Sequence, residues 1–198
     1  MTGVQTCALP ICDNSQTRET AATMGKHISR MENYVSSMSN IRRMEDTQPE
    51  YKLIDLQPLV SSLYDSAKII CTKNGKELIL QNDISVLQLS LDSAFISQVC
   101  NNLISNAVRY ARTLVTISFT LHDNGLLLSV SDDGNGFDKD SLQKAANPYF
   151  TGESNHSEHF GLGLYICKLL CEHHNGYLQI RNTVNGANVS AYFKSPTL

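Results

Sequence analysis

The sequence lacks the features that define several large classes of protein. No apolar run approaches the roughly 18 residues of a membrane span. No basic block indicates a nucleic-acid partner, because 16 Lys and Arg are spread among 19 Asp and Glu. None of the six cysteines stands in a C-x-x-C pair, and the lack of a disulfide framework favours a reducing, cytoplasmic environment. What remains is a chain of 198 residues, 41% hydrophobic, that can bury one core with a short element beside it.

The first eleven residues, MTGVQTCALPI, do not have the pattern of a secretion signal. Such a signal begins with basic residues before an apolar run, and this segment contains neither Lys nor Arg. Written back as codons, with GTG read as the initiating Met, it resembles the DNA of a sequencing-library adapter. We therefore expect residues 1–11 to be an artefact, with native sequence from about Cys12 and more sequence upstream. A short natural tail is the alternative.

Between residues 24 and 44, apolar side chains recur at steps of mostly four and three, which predicts one long amphipathic helix. They are Met24, Ile28, Met31, Val35, Met38, Ile41 and Met44. A stripe with this heptad spacing has to be buried against another helix, and the rest of the sequence contains no second helix of that kind. We expect it to pair with a helix upstream and with a second copy, which makes residues 24–44 the predicted homodimer interface.

After a polar break at Pro49, alternating helix and strand patterns predict an α+β fold of two layers, one sheet covered by helices. Asp55 and Asp92 are predicted N-caps of two helices, of which the first ends at Asn74-Gly75. A third helix, LYICKLLCEHH, ends at Asn175-Gly176. Strands are predicted for KELILQN, VLQLS, residues 115–121, residues 126–131, YLQIRN and NVSAYF, with hairpin turns at Asn124-Gly125 and Asn185-Gly186. Residues 133–160 have little periodicity and predict a long functional loop.

Cys167, Cys171 and His174 share one face of the third helix, which allows two interpretations. Thiol and imidazole groups together are metal ligands, but an i, i+4, i+7 stripe that includes two cysteines is more typical of a buried helix face. We predict that these three side chains pack in the core.

Three short segments contain residue types that suit a nucleotide. On the second helix, Asn102, Asn106 and Arg109 share a face, and neutral amide oxygens suit Mg²⁺ without repelling a phosphate group. In SDDGNGF, Asp132 ends a buried strand, and Gly134 and Gly136 let the backbone bend close to a ligand. Each of these segments alone is also compatible with an ordinary helix surface or turn.

The third segment, HFGLGLYI, places Gly161 and Gly163 directly before a helix whose free N–H groups can receive phosphate oxygens. Neither this glycine pair nor the earlier one completes a G-x-x-x-x-G-K-[ST] or a G-x-G-x-x-G motif. The familiar phosphate-binding loops are therefore excluded.

The order of the three segments, NLISNA, DDGNG and GLGL, resembles the ATP-binding domain of sensor histidine kinases, in the superfamily shared with gyrase, Hsp90 and MutL. The resemblance covers about residues 51–194. It implies a two-layer α/β sandwich of the Bergerat type, with ATP and Mg²⁺ as cofactors. Residues 24–44 resemble the second helix of the family's dimerisation and phosphotransfer hairpin. The implied division is an artefact over 1–11, part of that hairpin over 12–48, and the catalytic domain over 51–198.

The same resemblance implies the site residues. Asn106 would hold Mg²⁺, Asp132 would bind adenine, and Phe150 resembles the aromatic residue of a lid over roughly residues 135–160. Gly186 matches the last hairpin. The Arg that often follows the lid aromatic is missing, and Lys144 is only a weak substitute. The full ATP-binding set implied is Asn102, Asn106, Arg109, Tyr110, Asp132, Gly134, Gly136, Phe150, Gly161, Leu162, Gly163 and Leu164.

One position distinguishes branches of the superfamily. The ATP-hydrolysing members have a glutamate four residues before the Mg²⁺ asparagine, where it can act as a general base. Here that residue is Asn102, which cannot accept a proton, so the resemblance implies phosphoryl transfer to a side chain rather than to water. None of the six histidines fits the family's acceptor pattern. His27 is the one on the long helix, and no acidic residue directly follows it.

We therefore expect the acceptor histidine, the sensor and any membrane anchor to lie upstream, in a protein whose cytoplasmic part acts on a response regulator. This chain would bind ATP without phosphorylating itself. An ATPase of the same superfamily and a non-catalytic module that only dimerises are the alternatives.

Overall fold

The computed structural model describes residues 19–21, 23–25, 28, 44–151 and 161–196. The chain divides into two compact units, Met1–Ser39 and Asn40–Leu198. In the first unit the described residues are helical and exposed, among them Met24 and Ile28. Residues 1–11, His27 and the predicted stripe positions Met31, Val35, Met38 and Ile41 lie outside the described residues. Within the described part of the chain, no helix is long and apolar enough to span a bilayer.

The second unit alternates strands and helices. In chain order it contains β1 (Lys52–Asp55), α1 (Leu56–Lys73), β2 (Glu77–Asn82), β3 (Gln88–Leu91), α2 (Ser93–Tyr110), β4 (Leu114–His122), β5 (Gly125–Asp132), α3 (Lys139–Lys144), α4 (Gly163–His173), β6 (Tyr177–Asn182) and β7 (Ala187–Lys194).

Five of the strands form one mixed sheet in the order β2-β4-β5-β7-β6, in which β2 runs parallel to β4 and the other pairs are antiparallel. The predicted α+β architecture is confirmed. One detail of the prediction was wrong: the VLQLS strand is not in this sheet. It forms β3 and pairs with β1 in a separate two-stranded sheet. Strand β1 was not predicted, because the sequence pattern after Pro49 indicated only a polar break.

The core lies between one face of the large sheet and helices α1, α2 and α4. The alternation of residues 115–121 is confirmed, because Val115, Ile117 and Phe119 are fully buried while the threonines and serine between them are partly exposed. Phe119 pairs with Leu128 of β5, which points to the same face. Each buried side chain of this size contributes roughly 1.5–3 kcal/mol to folding, so the sheet and the helix layer stabilise one another.

The two predicted N-caps behave differently. Asp92 caps α2, because its carboxylate accepts hydrogen bonds from the backbone N–H groups of Ala94 at 2.9 Å and Phe95 at 3.0 Å. Asp55 stands before α1 but makes no capping hydrogen bond. Its carboxylate accepts instead from the Gln88 amide at 2.7 Å, since pairing of β1 with β3 brings the two side chains together.

The predicted hairpins form, with one shift in the turn. His122 pairs with Gly125, so the turn residues are Asp123 and Asn124 rather than Asn124 and Gly125, and Asp123 adopts a φ of 47°. Gly125 is already in the strand, where a Cβ would lie 2.3 Å from the Phe193 carbonyl oxygen. The glycine is therefore required for strand packing and not for the turn.

The segment predicted as a long loop contains the short helix α3. Asp138 caps it by accepting hydrogen bonds from the backbone N–H of Ser141 at 2.8 Å and from its hydroxyl at 2.6 Å. Six residues were too few to show a helical period in the sequence, and residues 152–160 of the same segment lie outside the described residues.

The Cys167, Cys171 and His174 face of α4 is buried in the core, as predicted. Burial raises the pKa of both thiols. The Nε2 atom of His174 accepts a hydrogen bond from the Asp92 backbone N–H at 3.0 Å, so Nδ1 carries the hydrogen and donates it to the Lys194 carbonyl oxygen at 3.0 Å. Both ring nitrogens are thus bonded to backbone.

Candidate functional site

Helix α2 presents the polar face that the sequence indicated. Asn102 and Asn106 are half-buried, whereas Arg109 and Tyr110 are exposed near the end of the helix. The Arg109 guanidinium lies 5.9 Å from the centre of the Tyr110 ring. Burial raises the pKa of the Cys167 thiol of α4, and a hydrogen bond with Asn102 opposes that shift. Asn102 therefore lies close to the Cys167 thiol of the neighbouring helix.

Asp132 lies at the end of β5 with its carboxylate half-buried. The carboxylate accepts hydrogen bonds from the backbone N–H of Gly134 at 2.9 Å and of Ala187. Burial raises the pKa of Asp132, and the two backbone donors oppose that rise. A carboxylate has about four sites for donors, so it retains capacity to accept from a further group such as an exocyclic amine.

Asp133, the next residue, has a different role, which the sequence motif did not reveal. It accepts hydrogen bonds from the backbone N–H of Arg112 at 2.7 Å and from both the backbone and the hydroxyl of Thr113. Partial burial would raise the pKa of Asp133, but these donors and that of Leu114 outweigh it and hold the pKa well below its usual range. Asp133 thus ties the end of β5 to the segment after α2.

Two glycines allow the backbone around Asp132 to pack closely. A Cβ on Gly134 would lie 2.3 Å from the Tyr110 carbonyl oxygen, and one on Gly186 would lie 2.1 Å from the Asp132 carbonyl oxygen. Real Cβ atoms do not approach backbone this closely. The structure therefore brings Tyr110, Asp132, Gly134 and Gly186 together at one end of the sheet, although the sequence separates Gly186 from the rest.

A polar cavity of about 490 Å³ opens beside this cluster. Its lining comes from the segment after α2, the first glycine loop and the β6–β7 hairpin: Arg112, Asp133, Gly134, Asn135 and residues 182–186. The Arg112 guanidinium donates to the Asn135 side chain at 2.7 Å across it. The first glycine loop thus lies between the segment after α2 and the β6–β7 hairpin.

The second glycine segment begins α4. Gly161 adopts a φ of +64°, and a Cβ there would lie 2.2 Å from the Phe150 carbonyl oxygen. Leu162 is the N-cap, and the helix begins at Gly163, one residue earlier than predicted. The first turn of a helix leaves N–H groups without helical acceptors. Gly163 has open space around its Cβ position, so a phosphate group can approach there.

The remaining predicted residues lie around these segments. Leu164 packs against the core. Phe150 is half-buried, with its backbone against Gly161, so this part of the predicted lid and the second glycine segment meet. Lys144, at the end of α3, is exposed. Gly136 adopts a φ of +74°, which accounts for a glycine at that position.

Comparison with known proteins identifies the family. Residues 91–197, more than half of the chain, match the family described as the histidine kinase-, DNA gyrase B-, and HSP90-like ATPases. The chain belongs to this family. The predicted resemblance to a histidine-kinase ATP-binding domain is confirmed.

Curated relatives are bacterial sensor proteins. The heme sensor protein HssS of Staphylococcus saprophyticus is 29% identical over 61% of this chain and 27% of its own length. The sensor histidine kinase YvrG of Bacillus subtilis is 26% identical over 89% of this chain and 32% of its own. For the sensor protein SrrB of Staphylococcus aureus the values are 25%, 94% and 33%. The chain thus spans about a third of the length of these relatives.

Solved structures share the fold. Full-length ShkA in complex with AMPPNP superposes with a TM-score of 0.71 at 16% identity, over 93% of this chain and 40% of that one. The nucleotide-free catalytic domain of histidine kinase ThkA gives a TM-score of 0.65 at 23% identity, over 74% of this chain and 96% of that domain. The histidine kinase AdeS of Acinetobacter baumannii gives 0.63 at 19% identity, over 93% and 86%. The second unit therefore has the fold of histidine kinase catalytic domains.

Proposed function

We propose that this chain binds Mg-ATP between α2, the two glycine segments and the lid, and supplies its γ-phosphoryl group to a histidine of the full-length protein. The observation that carries the proposal is the cluster around Asp132. There a half-buried carboxylate with remaining acceptor capacity lies beside two glycines that let the backbone pack closely around it. This is the arrangement that a site for an adenine amine requires.

The other residues would orient the triphosphate. The free N–H groups at the start of α4 would bind phosphate oxygens, and Arg109 would supply a positive charge from its exposed position at the end of α2. Leu162 and Leu164 anchor the second glycine segment in the core, which holds those N–H groups in place. Positioning and charge stabilisation are the main contributions that a protein makes to phosphoryl transfer.

Mg²⁺ fits the residues present. Asn106 is half-buried on the same helix face as Asn102 and offers a neutral oxygen, the ligand type that this hard cation accepts together with phosphate oxygens. When bound, the ion would neutralise charge on the transferred phosphoryl group. We propose Asn106 as its protein ligand.

Transfer to histidine is favoured over hydrolysis. Asn102 has no basic group to activate water. In the proposed reaction the unprotonated nitrogen of the imidazole forms a bond to the γ-phosphorus, the bond between that phosphorus and the β–γ bridging oxygen breaks, and ADP leaves. The other ring nitrogen then releases its proton to solvent. An aspartate of a response regulator would then take the phosphoryl group.

The organisation of the whole protein is proposed from the relatives, which are sensor proteins about three times longer than this chain. Residues 12–48 would be part of a dimerisation and phosphotransfer hairpin and residues 51–198 the catalytic domain. Residues 24–44 would pair with a second copy. A membrane anchor and the phosphoacceptor histidine would lie in further sequence upstream, and the catalytic part would face the cytoplasm.

The experiment follows the γ-phosphoryl group from labelled ATP in the presence of Mg²⁺. We expect the purified chain alone to bind ATP, remain unlabelled and release phosphate at the background rate. Addition of a separate phosphotransfer hairpin with an acceptor histidine should give acid-labile label on that hairpin. Steady phosphate release by the chain, absent from an Asp132→Asn preparation, would establish the ATPase alternative instead. Dimerisation without any nucleotide binding would establish the non-catalytic module.

A further inference from the structure

Asn182, the last residue of β6, holds the backbone of Phe137 at both of its polar groups. The Phe137 N–H donates to the Asn182 side-chain oxygen at 2.7 Å, and the Asn182 side-chain nitrogen donates to the Phe137 carbonyl oxygen at 2.7 Å. A carboxamide that accepts and donates in this way satisfies both backbone groups of one residue, as a neighbouring strand would. Neither residue belongs to the set of ATP-binding residues that the family resemblance implies.

The contact falls where the first glycine segment passes into the lid. Gly136, with a φ of +74°, precedes Phe137, and a Cβ on it would lie 2.7 Å from the Asn182 oxygen. The Phe137 ring packs against the core, and the next residue, Asp138, caps α3. Asn182 and Gly136 therefore fit one another, and together they fix the root of the lid.

The opposite side of the same loop is held by other residues. Asp133 binds the backbone of Thr113, and Asn135 accepts from Arg112. Gly134 packs against Tyr110. Without Asn182, the backbone at the end of the loop would lose both of these hydrogen bonds, and only the packing of the Phe137 ring would hold that residue.

We propose that Asn182 is a positioning residue for ATP binding. By holding Phe137, it keeps the turn from Gly134 to Gly136 in the shape that leaves the Asp132 carboxylate available to adenine. The inference rests on the proposed ATP site. Asn182 is exposed, so its truncation opens no cavity in the core, and its loss should affect the ligand more than the fold.

The first test compares two asparagine-to-alanine variants of the full chain. Asn182→Ala should weaken binding of Mg-ATP roughly ten-fold, because two hydrogen bonds that pre-organise the site are lost. Asn82→Ala is the matched control, since Asn82 is also exposed, ends the edge strand β2, and binds the Ile84 backbone N–H at 3.2 Å. The control should bind ATP as the unsubstituted chain does, and both variants should have similar thermal unfolding midpoints.

The second test uses Asn182→Asp and pH. An ionised carboxylate accepts from the Phe137 N–H but repels the Phe137 carbonyl oxygen, whereas a protonated one can again donate to that oxygen. The ratio of ATP affinities, variant to unsubstituted chain at the same pH, should therefore recover only as pH falls below about 5, toward the usual carboxyl pKa near 4, where the substituted side chain becomes protonated. A residue that served only stability would not give this recovery.

The outcomes separate the two proposals. ATP binding within two-fold of the unsubstituted chain in both Asn182 variants, with no dependence of the ratio on pH, would overturn the positioning role and leave the ATP site standing. Equal weakening by Asn82→Ala would also overturn it, because the effect would not be specific to the loop. Absence of ATP binding by the unsubstituted chain would overturn both proposals.

Discussion

Thr113 is bound to the carboxylate of Asp133 through its backbone N–H and its hydroxyl. The N–H lies 3.0 and 3.1 Å from the two carboxylate oxygens, and the hydroxyl lies 2.7 Å from one of them. The two adjacent aspartates, Asp132 and Asp133, therefore have different roles. Asp133 is occupied by the protein itself, and Asp132 retains the capacity to accept from a ligand.

Substitution of Asp133 by Asn should destabilise the fold. The folded-state pKa of Asp133 is lowered, so its contribution is fully present above the unfolded value near pH 4 and is lost as pH falls below it. We expect a loss of about 1–2 kcal/mol at neutral pH, because the carboxylate is partly exposed to solvent. Urea unfolding at a series of pH values should show a difference that shrinks in acid. The exposed Asp83→Asn variant is the control, and equal stability of the two variants would contradict the assignment.

Substitution of Asp132 by Asn should have the opposite effect on stability. Burial raises the folded-state pKa of Asp132, so its contribution is greatest below the unfolded pKa and is lost as pH rises through the folded value. Removal of the charge should therefore leave stability at neutral pH unchanged or higher, while Mg-ATP affinity falls roughly ten- to a hundred-fold. Calorimetric titration and chemical unfolding measure both. Weakened stability with unchanged ATP affinity would show that Asp132 is structural.

The proposed Mg²⁺ ligand is tested by Asn106→Ala. If the Asn106 oxygen coordinates the ion, the affinity gained by adding Mg²⁺ to ATP should largely disappear in the variant, while binding without the ion changes little. Asn101→Ala, one of the neighbouring asparagines on α2 and exposed, should keep the full Mg²⁺ dependence. The same dependence in both variants would show that the ion is held without Asn106.

His174 should make stability depend on pH in the mildly acidic range. Burial lowers the pKa of His174, and the neutral ring is needed to accept from the Asp92 backbone. Its contribution is therefore present above the unfolded pKa near 6.5 and is lost as pH falls through the folded value. His174→Phe should remove this pH dependence and cost about 2–3 kcal/mol at neutral pH, because two buried backbone groups lose their partner.

Unfolding curves at pH values from about 7.5 to about 5 measure this effect. His122→Gln, at the exposed end of β4, is the control and should leave the dependence unchanged. A pH dependence that persists in His174→Phe would assign it to another group.

Local signals predicted those parts of the fold that depend on neighbours in sequence. The Asp92 cap, the alternation in β4 and the glycine that ends α1 each act within a few residues, so each could be inferred from the sequence alone. Strand β1 could not, because its four residues pair with β3, more than 30 positions away. That same pairing turned Asp55 from a predicted cap into a partner of Gln88.

The candidate site divides in the same way. The glycine motifs indicated where the backbone bends, and the family resemblance supplied their order. A glycine is required at position 134 because the backbone there approaches Tyr110. A glycine is required at position 186 because it approaches Asp132, which is distant in the sequence. Asp133 and Asn182 were not singled out, because their partners are backbone groups that only the folded chain brings near.

Titration of the full chain with ATP in a calorimeter, with and without Mg²⁺, tests the central claim most directly. We predict saturable binding at a single site that is stronger with Mg²⁺, is displaced by AMPPNP and is greatly weakened by Asp132→Asn. Absence of saturable binding, or equal binding by Asp132→Asn, would contradict the proposed nucleotide site.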